Sequence, residues 1–425
     1  MTGPGMTGPG LKGAASGPLD GRLVVDLSRA LAGPHAGMML GDLGARVIKV
    51  ENPDGGDDTR GWGPPFVDTP EGRESTYFLS CNRNKESLRL DLKSADGQET
   101  LRELLRRADV LIENFRPGTL DRLGFDPATL EELNPRLIVL AISGFGHDGP
   151  EGRRAGYDQI AQGEAGLMSL TGSGPEDLQR VGVPIGDVLA GIHGAYGVLA
   201  ALLEREQSGR GKVVRTSLLS SIVGVLAFQG TRWTVGGQVP QAQGNHHPSI
   251  APYGLFRCDG GAVQIAVGSE GLWQRFASEF GLPAADERWK DNQSRVANRD
   301  GLIEAIEAVF AEAGSEDLLA RLEAAGIPAG RVRSLDEVFA WEQTRSQHLL
   351  LDIEHPTLGR IEIPGSPLRF FDGDGAETTR LRHAAPPRLG EHDESIRAWL
   401  GENQWLDEDA LLGASSAGAA GVGTP

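Results

Sequence analysis

Cysteine and basic residues are both scarce in this sequence of 425 residues. The two cysteines, Cys81 and Cys258, cannot form a disulfide framework and lack metal-ligand spacing, which is typical of a reducing compartment. Lysine and arginine number 41 against 59 aspartates and glutamates, so the formal net charge is -18. The scarcity of cysteine leads us to expect a cytoplasmic protein. Because nucleic-acid surfaces need clustered positive charge, we also expect that the protein does not bind nucleic acid.

Long apolar runs are also missing. No run approaches the roughly 18 to 20 residues that cross a membrane, and the start lacks the charged-then-apolar pattern of a secretory signal. We therefore expect no membrane association. Hydrophobic residues at 39% and charged residues at 24% are typical of a globular protein, and a chain of this length should divide into two or three domains.

The chain divides into five segments by composition and periodicity. Residues 1–19 and 411–425 are rich in Gly, Ser, Pro or Ala, and we expect both tails to be disordered. In residues 20–230, apolar runs such as RLVVDLS, ARVIKVE, SLRLDLK, DVLIEN and RLIVLAISGF alternate with helical patterns. This alternation predicts an α/β domain with a doubly wound parallel sheet. Residues 231–330 predict a linker and a small α+β domain, and residues 331–410 either return to the large domain or cover its edge.

The loops after the predicted strands could bind an anionic ligand, because doubly wound sheets bind ligands beyond the carboxyl ends of their strands. Arg29, Lys85, Arg116 and Arg122 lie near those ends. Each alone is typical of a solvated surface charge, but together they could form a phosphate pocket. The spacing of SRALAGP differs from G-x-G-x-x-G, so we do not expect a nicotinamide site.

Two residues directly after the fourth predicted strand could recognise a base. The amide of Asn114 and the ring of Phe115 could hold a purine, although Phe115 is equally consistent with an ordinary core residue.

Asp187 precedes a long helical pattern, VLAGIHGAYGVLAALLERE, and has two possible roles. It could be a helix N-cap, a position that aspartate favours. Alternatively, it could be a nucleophile, with the N–H groups of the helix start stabilising an oxyanion. Spacing alone leaves both roles open. Gly191, Gly194 and Gly197 recur every three residues and predict a bare helix face with a close neighbour.

The stretch GNHHPS is the other notable polar motif. Gly244, Asn245, His246 and His247 could form a loop over an active site or a polar surface turn. Nearby residues supply no partners at metal-ligand spacing, so we expect no metal site.

Eight segments, in order over about residues 20 to 400, resemble the class III coenzyme A transferases, the CaiB/BaiF family. They are DLSRALAGPHAGMMLGDLGARVIKVENPDGGDDTRGW, STYFLSCNRNKESLRLDL, ADVLIENFRPGTLDRLGFDPATLEELNPRLIVLAISGFG, GYDQIAQGEAGLMSLTG, VGVPIGDVLAGIHGAYGVLAAL, GNHHPSIAPYGLFRCDG, GIPAGRV and PPRLGEHDESI. The resemblance implies a Rossmann-like large domain made from both ends of the chain, a small domain between, and a homodimer of two interlocked rings.

The resemblance also implies an activity: transfer of coenzyme A from an acyl-CoA donor to a carboxylic acid, with the thioester as substrate and no permanently bound cofactor. It implies that Asp187 is the nucleophile, through an aspartyl mixed anhydride and an aspartyl thioester. The implied coenzyme contacts are Leu31, Ala32, Lys85, Asn114, Phe115 and Arg122.

Three departures from the family bear on the substrate and the reaction. GNHHP stands where formyl-CoA transferase has a glycine run, which disfavours oxalate, and Asn52 and Ser143 replace basic residues. The related α-methylacyl-CoA racemases carry a catalytic histidine in AGHD, where this chain has Tyr157. The pKa of an unperturbed tyrosine, about 10, suits a neutral-pH base poorly. Racemase-like isomerisation and acyl-CoA hydrolysis remain the alternatives, and the sequence does not identify the donor, the acceptor or the pathway.

Overall fold

The computed structural model describes residues 17–70 and 72–402. The strands are β1 (Leu23–Asp26), β2 (Arg46–Glu51), β3 (Phe66–Thr69), β4 (Gly72–Ser75), β5 (Lys85–Arg89), β6 (Val110–Glu113), β7 (Ile138–Ser143), β8 (Val213–Ser217), β9 (Tyr253–Cys258), β10 (Gly261–Ala266), β11 (Ala329–Gly330), β12 (Leu350–His355) and β13 (Gly359–Pro364). The helices are α1 (Ala32–Asp42), α2 (Thr76–Ser80), α3 (Ala95–Arg107), α4 (Thr119–Arg122), α5 (Pro127–Leu133), α6 (Asp158–Glu164), α7 (Ile185–Ser208), α8 (Leu218–Gly224), α9 (Ala227–Thr234), α10 (Glu270–Glu279), α11 (Asn292–Ala297), α12 (Arg299–Phe310), α13 (Ser315–Ala324), α14 (Leu335–Ala340), α15 (Glu342–Ser346) and α16 (Asp393–Glu402).

The described chain forms two compact units. The first combines residues up to 165 with residues 182–225 and those from 345 onward, and the second combines residues 166–181 with 226–344. The return to the first unit thus begins at 345 rather than 331, and the sequence did not predict that residues 166–181 join the second unit. In this division, the residues from 345 onward group with the first unit.

A parallel sheet with strand order β5-β2-β1-β6-β7-β8 forms the centre of the first unit. The mixed α/β class and the parallel sheet are as predicted. The chain builds outward from β1 through β2 to β5 and then resumes on the other side of β1 with β6. The loops after β1 and β6 therefore flank the switch point of the sheet, where such folds bind ligands. One strand, β8, was not predicted.

Helices cover both faces of this sheet. On one face, α3, α5 and α16 bury a cluster that includes Leu101, Leu130, Ile396 and Trp399. On the other face lies α7, and its glycines explain the close packing. A Cβ on Gly191 would lie 2.7 Å from the Ala32 carbonyl oxygen. The predicted bare helix face is thus confirmed.

Helix α7 is also long and apolar enough, with a mean hydropathy of 1.5, to cross a membrane by length and composition. The apolar runs in the sequence did not predict a helix that meets this criterion. The evidence for a span is weak, because core helices of globular proteins pass the same test and α7 packs on α1, β7 and β8 through Gly191, Gly194 and Gly197.

The second unit is a small α+β structure. Its antiparallel sheet has the order β11-β10-β9, and Trp273, Phe276 and Phe310 are fully buried in its core. Strand β9 follows the GNHHPS motif in this unit.

The predicted N-terminal tail, residues 1–19, needs a correction at its end. Leu19 is buried, and its N–H donates to the Leu43 carbonyl at 2.9 Å, so residues 17–19 belong to the fold. Residues 1–16 and the predicted tail 411–425 lie outside the described residues.

Candidate active site

The loops after β1 and β6 are tied together at the switch point. The side-chain oxygen of Asn114 accepts a hydrogen bond from the backbone N–H of Arg29 at 2.9 Å, and its NH₂ donates to the Arg29 carbonyl at 2.7 Å. The Arg29 guanidinium lies 5.9 Å from the ring centroid of Phe115. Phe115 is partly buried and packs against the large core cluster, so it contributes to the core as well. The structure therefore brings Arg29, Asn114 and Phe115 to one place.

Leu31 and Ala32 form the start of α1, and both side chains are buried. Any coenzyme contact from them must therefore come from their backbone. The preceding residue, Ala30, has a φ of +66°, a conformation that alanine rarely adopts. Its N–H donates to Asp57 at 3.3 Å, and Asp57 in turn forms a buried ion pair with Lys49 at 2.8 Å. These contacts hold the loop in one conformation.

The predicted phosphate contact of Lys85 is wrong. Its ammonium is fully buried and lies 3.0 Å from the carboxylate of Asp26, 2.8 Å from the Pro34 carbonyl and 2.9 Å from the amide oxygen of Asn82. These three acceptors match the three hydrogens of an ammonium group. Lys85 therefore fastens β5, β1 and the first turn of α1 together.

The other basic side chains of these loops remain exposed. Arg29, Arg116 and Arg122 all face solvent, and Arg122 donates to the Thr119 hydroxyl at 2.8 Å. These guanidinium groups, rather than Lys85, are accessible to an anion.

Asp187 is not the N-cap of α7. It is the third residue of the helix, and the N-cap position belongs to Pro184. The capping oxygen comes from α6 instead. The Asp158 carboxylate accepts from the N–H of Gly186 at 2.7 Å and from the N–H of Asp187 at 3.3 Å.

The suggested oxyanion site at the start of α7 is also wrong in this geometry. Besides the two N–H groups bound to Asp158, the N–H of Ile185 donates to the Val183 carbonyl at 2.8 Å, and the N–H of Val188 donates to the Pro184 carbonyl at 3.0 Å. Since these four N–H groups of the first turn already have acceptors, a developing oxyanion needs another donor.

Asp187 is partly buried, and its environment disfavours the charged form. Burial, together with the like charge of Asp158, raises the pKa of Asp187 from 3.8 to about 7. A carboxylate that is costly to ionise has a strong tendency to share its electron pair, either with a proton or with a carbon electrophile. Carboxylates with a raised pKa are common in active sites.

A tyrosine that sequence reasoning missed lies close to Asp187. Burial and then the charge of Asp187 raise the pKa of Tyr77 to about 12, so its hydroxyl keeps its proton at neutral pH. Tyr77 and Val188, the residue after Asp187, both pack against a small cluster of Leu31, Met38 and Cys81. This cluster connects the start of α7 with the loop after β1.

Asp158 was missed as well, although its motif was noticed. Tyr157, the residue at which AGYD differs from the racemase motif, has a side chain that is 71% exposed. The useful signal was Asp158 at the start of a helix with Gln162 one turn later, a spacing that lets the two side chains meet. The sequence carried no comparable signal for Tyr77.

The GNHHP loop belongs to the second unit and is tightly packed there. The ring of His247 is stacked between those of Phe228 and Tyr253, at centroid distances of 5.5 and 5.1 Å. Arg299 donates to the carbonyls of His247 and Pro248 at 2.9 Å each. Burial, followed by the charge of Arg299, lowers the pKa of both His246 and His247.

The ends of the loop are held too. The N–H of Gly244 donates to the Gly172 carbonyl at 2.8 Å, and Gly244 has a φ of +60°. Asn245 is exposed. Within residues 17–70 and 72–402, no three His, Cys, Asp or Glu side chains come together in a group that could bind a metal.

The doubly wound sheet, its tied switch-point loops and the partly buried carboxylate at the start of α7 define an α/β protein with an enzyme-like site. A family model described as CoA-transferase family III matches residues 19–393. The chain therefore belongs to CoA-transferase family III and is an enzyme of that family.

Individual relatives agree with this assignment. A succinate–glutarate CoA-transferase of Agrobacterium fabrum is 40% identical over 388 residues, which cover 90% of this chain and 96% of that protein. A succinyl-CoA:glutarate CoA-transferase of Mus musculus is 39% identical over 396 residues, with coverage of 93% and 88%. The crystal structure of a CaiB/BaiF family protein from Brucella suis superimposes with a TM-score of 0.81 at 40% identity, with coverage of 91% and 100%.

Proposed function

We propose that this enzyme moves coenzyme A from an acyl-CoA donor to a carboxylic acid, with Asp187 as the covalent carrier. The observation that carries the proposal is the Asp187 carboxylate, partly buried and repelled by Asp158. An oxygen of Asp187 bonds to the thioester carbon of the donor, and the carbon–sulfur bond breaks with its electron pair on sulfur. The products are a mixed anhydride and a thiolate. A thiol pKa of about 8.5 makes the thiolate an adequate leaving group without a strong general acid.

The remaining steps return the thiolate to a thioester. The thiolate attacks the Asp187 carbonyl carbon and releases the donor acid, which leaves an aspartyl thioester. The acceptor carboxylate then attacks that carbon to form a second anhydride, and the thiolate attacks its acyl carbon to give the new acyl-CoA and free Asp187. Because the N–H groups at the start of α7 are occupied, the neutral hydroxyl of Tyr77 is our candidate donor to the developing oxyanion.

The coenzyme site that we propose lies at the switch point of the sheet. The backbone of Leu31 and Ala32, the side chains of Asn114 and Phe115, and the exposed guanidinium of Arg122 line it. Coenzyme A acts as substrate there, and we propose no permanently bound cofactor. Both cysteines are free thiols, which supports the proposed cytoplasmic location.

We propose a dicarboxylic acid as the acceptor, because two relatives at 39–40% identity are named for succinate and glutarate. The test incubates the enzyme with succinyl-CoA and a series of mono- and dicarboxylic acids and identifies products by mass spectrometry. We expect glutarate or a similar diacid to yield its CoA thioester, with one succinate released per thioester formed. Exclusive use of monocarboxylic acids would contradict the dicarboxylate assignment.

The same assay detects a hydrolase, and an additional incubation with a 2-methylacyl-CoA in deuterated water detects a racemase. A hydrolase would release free coenzyme A without a new thioester. A racemase-like isomerase would exchange the α-proton of a 2-methylacyl-CoA with solvent deuterium. Tyr157, which replaces the racemase histidine, is 71% exposed, and this exposure disfavours it as a desolvated base.

We further propose that the enzyme is an interlocked homodimer. Ile192, Tyr196, Leu199 and Leu203 lie along one side of α7 at spacings of four, three and four residues, and 36–72% of each side chain is exposed. Apolar residues at this spacing form one continuous stripe on a helix, and such stripes mark interfaces. A second copy of the chain is the partner that the family resemblance implies.

Subunit exchange tests this topology. Two preparations with different affinity tags are mixed, and mixed dimers are counted after days at 25 °C and again after joint unfolding and refolding. We expect a particle of twice the 45.1 kDa chain mass and mixed dimers only after unfolding, because interlocked rings cannot separate while folded. Rapid exchange without unfolding would rule out interlocking, and a folded, active monomer would rule out the dimer.

A further inference from the structure

Asp158 is fixed on two sides within the first unit. One oxygen accepts from the N–H groups of Gly186 and Asp187, at 2.7 and 3.3 Å. The other accepts from the side-chain NH₂ of Gln162 at 2.7 Å. The side chain of Gln162 is fully buried and also donates to the Val183 carbonyl at 3.4 Å. Three hydrogen bonds to Asp158, and a fourth that anchors Gln162, thus set the position of the Asp158 carboxylate relative to the backbone of Asp187.

The backbone at this point admits no larger residue without movement. A Cβ on Gly186 would lie 3.0 Å from the same Asp158 oxygen and 3.0 Å from a methyl carbon of Ile222. The absence of a side chain at Gly186 therefore lets the Asp158 carboxylate approach the backbone at the start of α7, where Asp187 lies.

We propose that Asp158, held by Gln162, is a positioning residue that orients Asp187 and favours its acylation through repulsion between the two carboxylates. The inference rests on the proposed role of Asp187 as the acyl carrier. Before reaction, an ionised Asp187 is repelled by the charge of Asp158. When the Asp187 oxygen bonds to the thioester carbon, its charge leaves with the thiolate, and the repulsion ends. The free energy of the anhydride is therefore lowered relative to that of the free carboxylate.

Burial, followed by the charge of Asp158, raises the pKa of Asp187. Protonation and acylation both remove the charge of Asp187, so the repulsion by Asp158 favours both. The groups around Asp187 are few. Helix α6 supplies Asp158, α2 supplies Tyr77, and α1 supplies His35, which packs against Gly191 one turn further along α7. Burial lowers the pKa of His35 to about 4, so it is neutral in the range of interest. Helix α8, whose Ile222 contacts Gly186, carries no ionisable side chain.

The test is the pH profile of kcat/KM for the wild type and for Asp158→Asn. The reactive form of Asp187 is ionised, so wild-type activity should fall as the pH drops through about 7. The asparagine retains an oxygen that can accept from Gly186 and Asp187, but it lacks the charge. We expect its acid limb to move to lower pH by about one unit and its maximal rate to fall roughly tenfold.

Matched variants separate this role from simple support of the fold. Glu164→Gln removes a negative charge from the same helix, at an exposed position that pairs with Arg154, and should leave the acid limb in place. Asp158→Glu keeps the charge and should retain a limb near that of the wild type. A purely structural role predicts a lower Tm for Asp158→Asn with an unshifted limb.

The outcomes distinguish this inference from the proposed function. If Asp158→Asn folds and its acid limb coincides with that of the wild type, the repulsion model is wrong. Hydroxylamine trapping of acylated Asp187 in the wild type would still support the proposed carrier. If the wild type gives no adduct at Asp187 after incubation with acyl-CoA, the proposed carrier itself is wrong.

Discussion

Asp187→Asn is expected to lower the transfer rate by about a thousandfold or more while the protein stays folded. An amide is a very poor nucleophile toward a thioester. The helix cap survives, because the capping oxygen belongs to Asp158 and not to Asp187. The measurements are the rate of acyl transfer and the yield of hydroxylamine adduct on the peptide that contains Asp187.

The same variant should be more heat-stable than the wild type at alkaline pH. The pKa of Asp187 rises from 3.8 to about 7 on folding, so the folded state binds its proton more tightly than the unfolded state. Wild-type stability is therefore lost as the pH rises from about 4 to 7, and the full cost remains above 7. Asparagine has no such cost. We expect a higher Tm for Asp187→Asn at pH 8 and little difference at pH 4.

Asp317→Asn is the matched control. Asp317 is also the third residue of a helix, α13, but it is exposed. This variant should keep wild-type transfer activity and show no stabilisation at pH 8. If Asp187→Asn retained most of its activity, Asp187 could not be the acyl carrier.

Lys85→Ala is expected to destabilise the fold by about 3–5 kcal/mol. The substitution leaves the carboxylate of Asp26, which is 0% exposed, without the ammonium that lies 3.0 Å away. It also removes the donor to the Pro34 carbonyl at the first turn of α1. Denaturant unfolding measures this change. If Lys85→Ala binds coenzyme A more weakly, we expect the loop at the start of α1 to be disordered as well, because the loss of affinity follows from the loss of structure.

Arg122→Ala provides the contrast. Arg122 is exposed, so we expect its unfolding free energy to stay within about 0.5 kcal/mol of the wild type while coenzyme A binds several-fold more weakly. If Lys85→Ala has normal stability but binds coenzyme A more weakly, Lys85 contacts the coenzyme after all, and its assignment as a purely structural residue is wrong.

The parallel sheet and its ligand-binding edge were predictable because β1, β2, β6 and β7 are apolar runs separated by helical patterns. Strand β8 was not predicted, and the exposure of its side chains explains why. It lies at the edge of the sheet, where the side chains of Val213 and Arg215 are exposed. Its sequence therefore lacks a buried run and passes without a break into TSLLSS.

The site was predictable at Asp187 and less so around it. The role of Lys85 depends on Asp26, which is 59 residues away in the sequence, and the cap of α7 depends on Asp158, 28 residues before Gly186. Local patterns show which residue types are present, but burial and charge pairing come from chain segments that meet only in the folded protein. The contact of Asp158 with the start of α7 and the position of Tyr77 near Asp187 became visible only in the folded structure.

The C-terminal return has a consequence for synthesis on the ribosome. The edge strand β5 is covered by residues that are synthesised about 300 positions later. The N–H of His392 donates to the Ser87 carbonyl at 3.1 Å, and Asp393 accepts from the N–H of Arg89 at 2.8 Å. Trp399 and Leu400 fill the core cluster beside α3. A nascent chain therefore exposes an uncovered strand edge and part of its core until residues 392–400 have been synthesised and have folded back. Such edges attract other chains, so these residues shield β5 from aggregation.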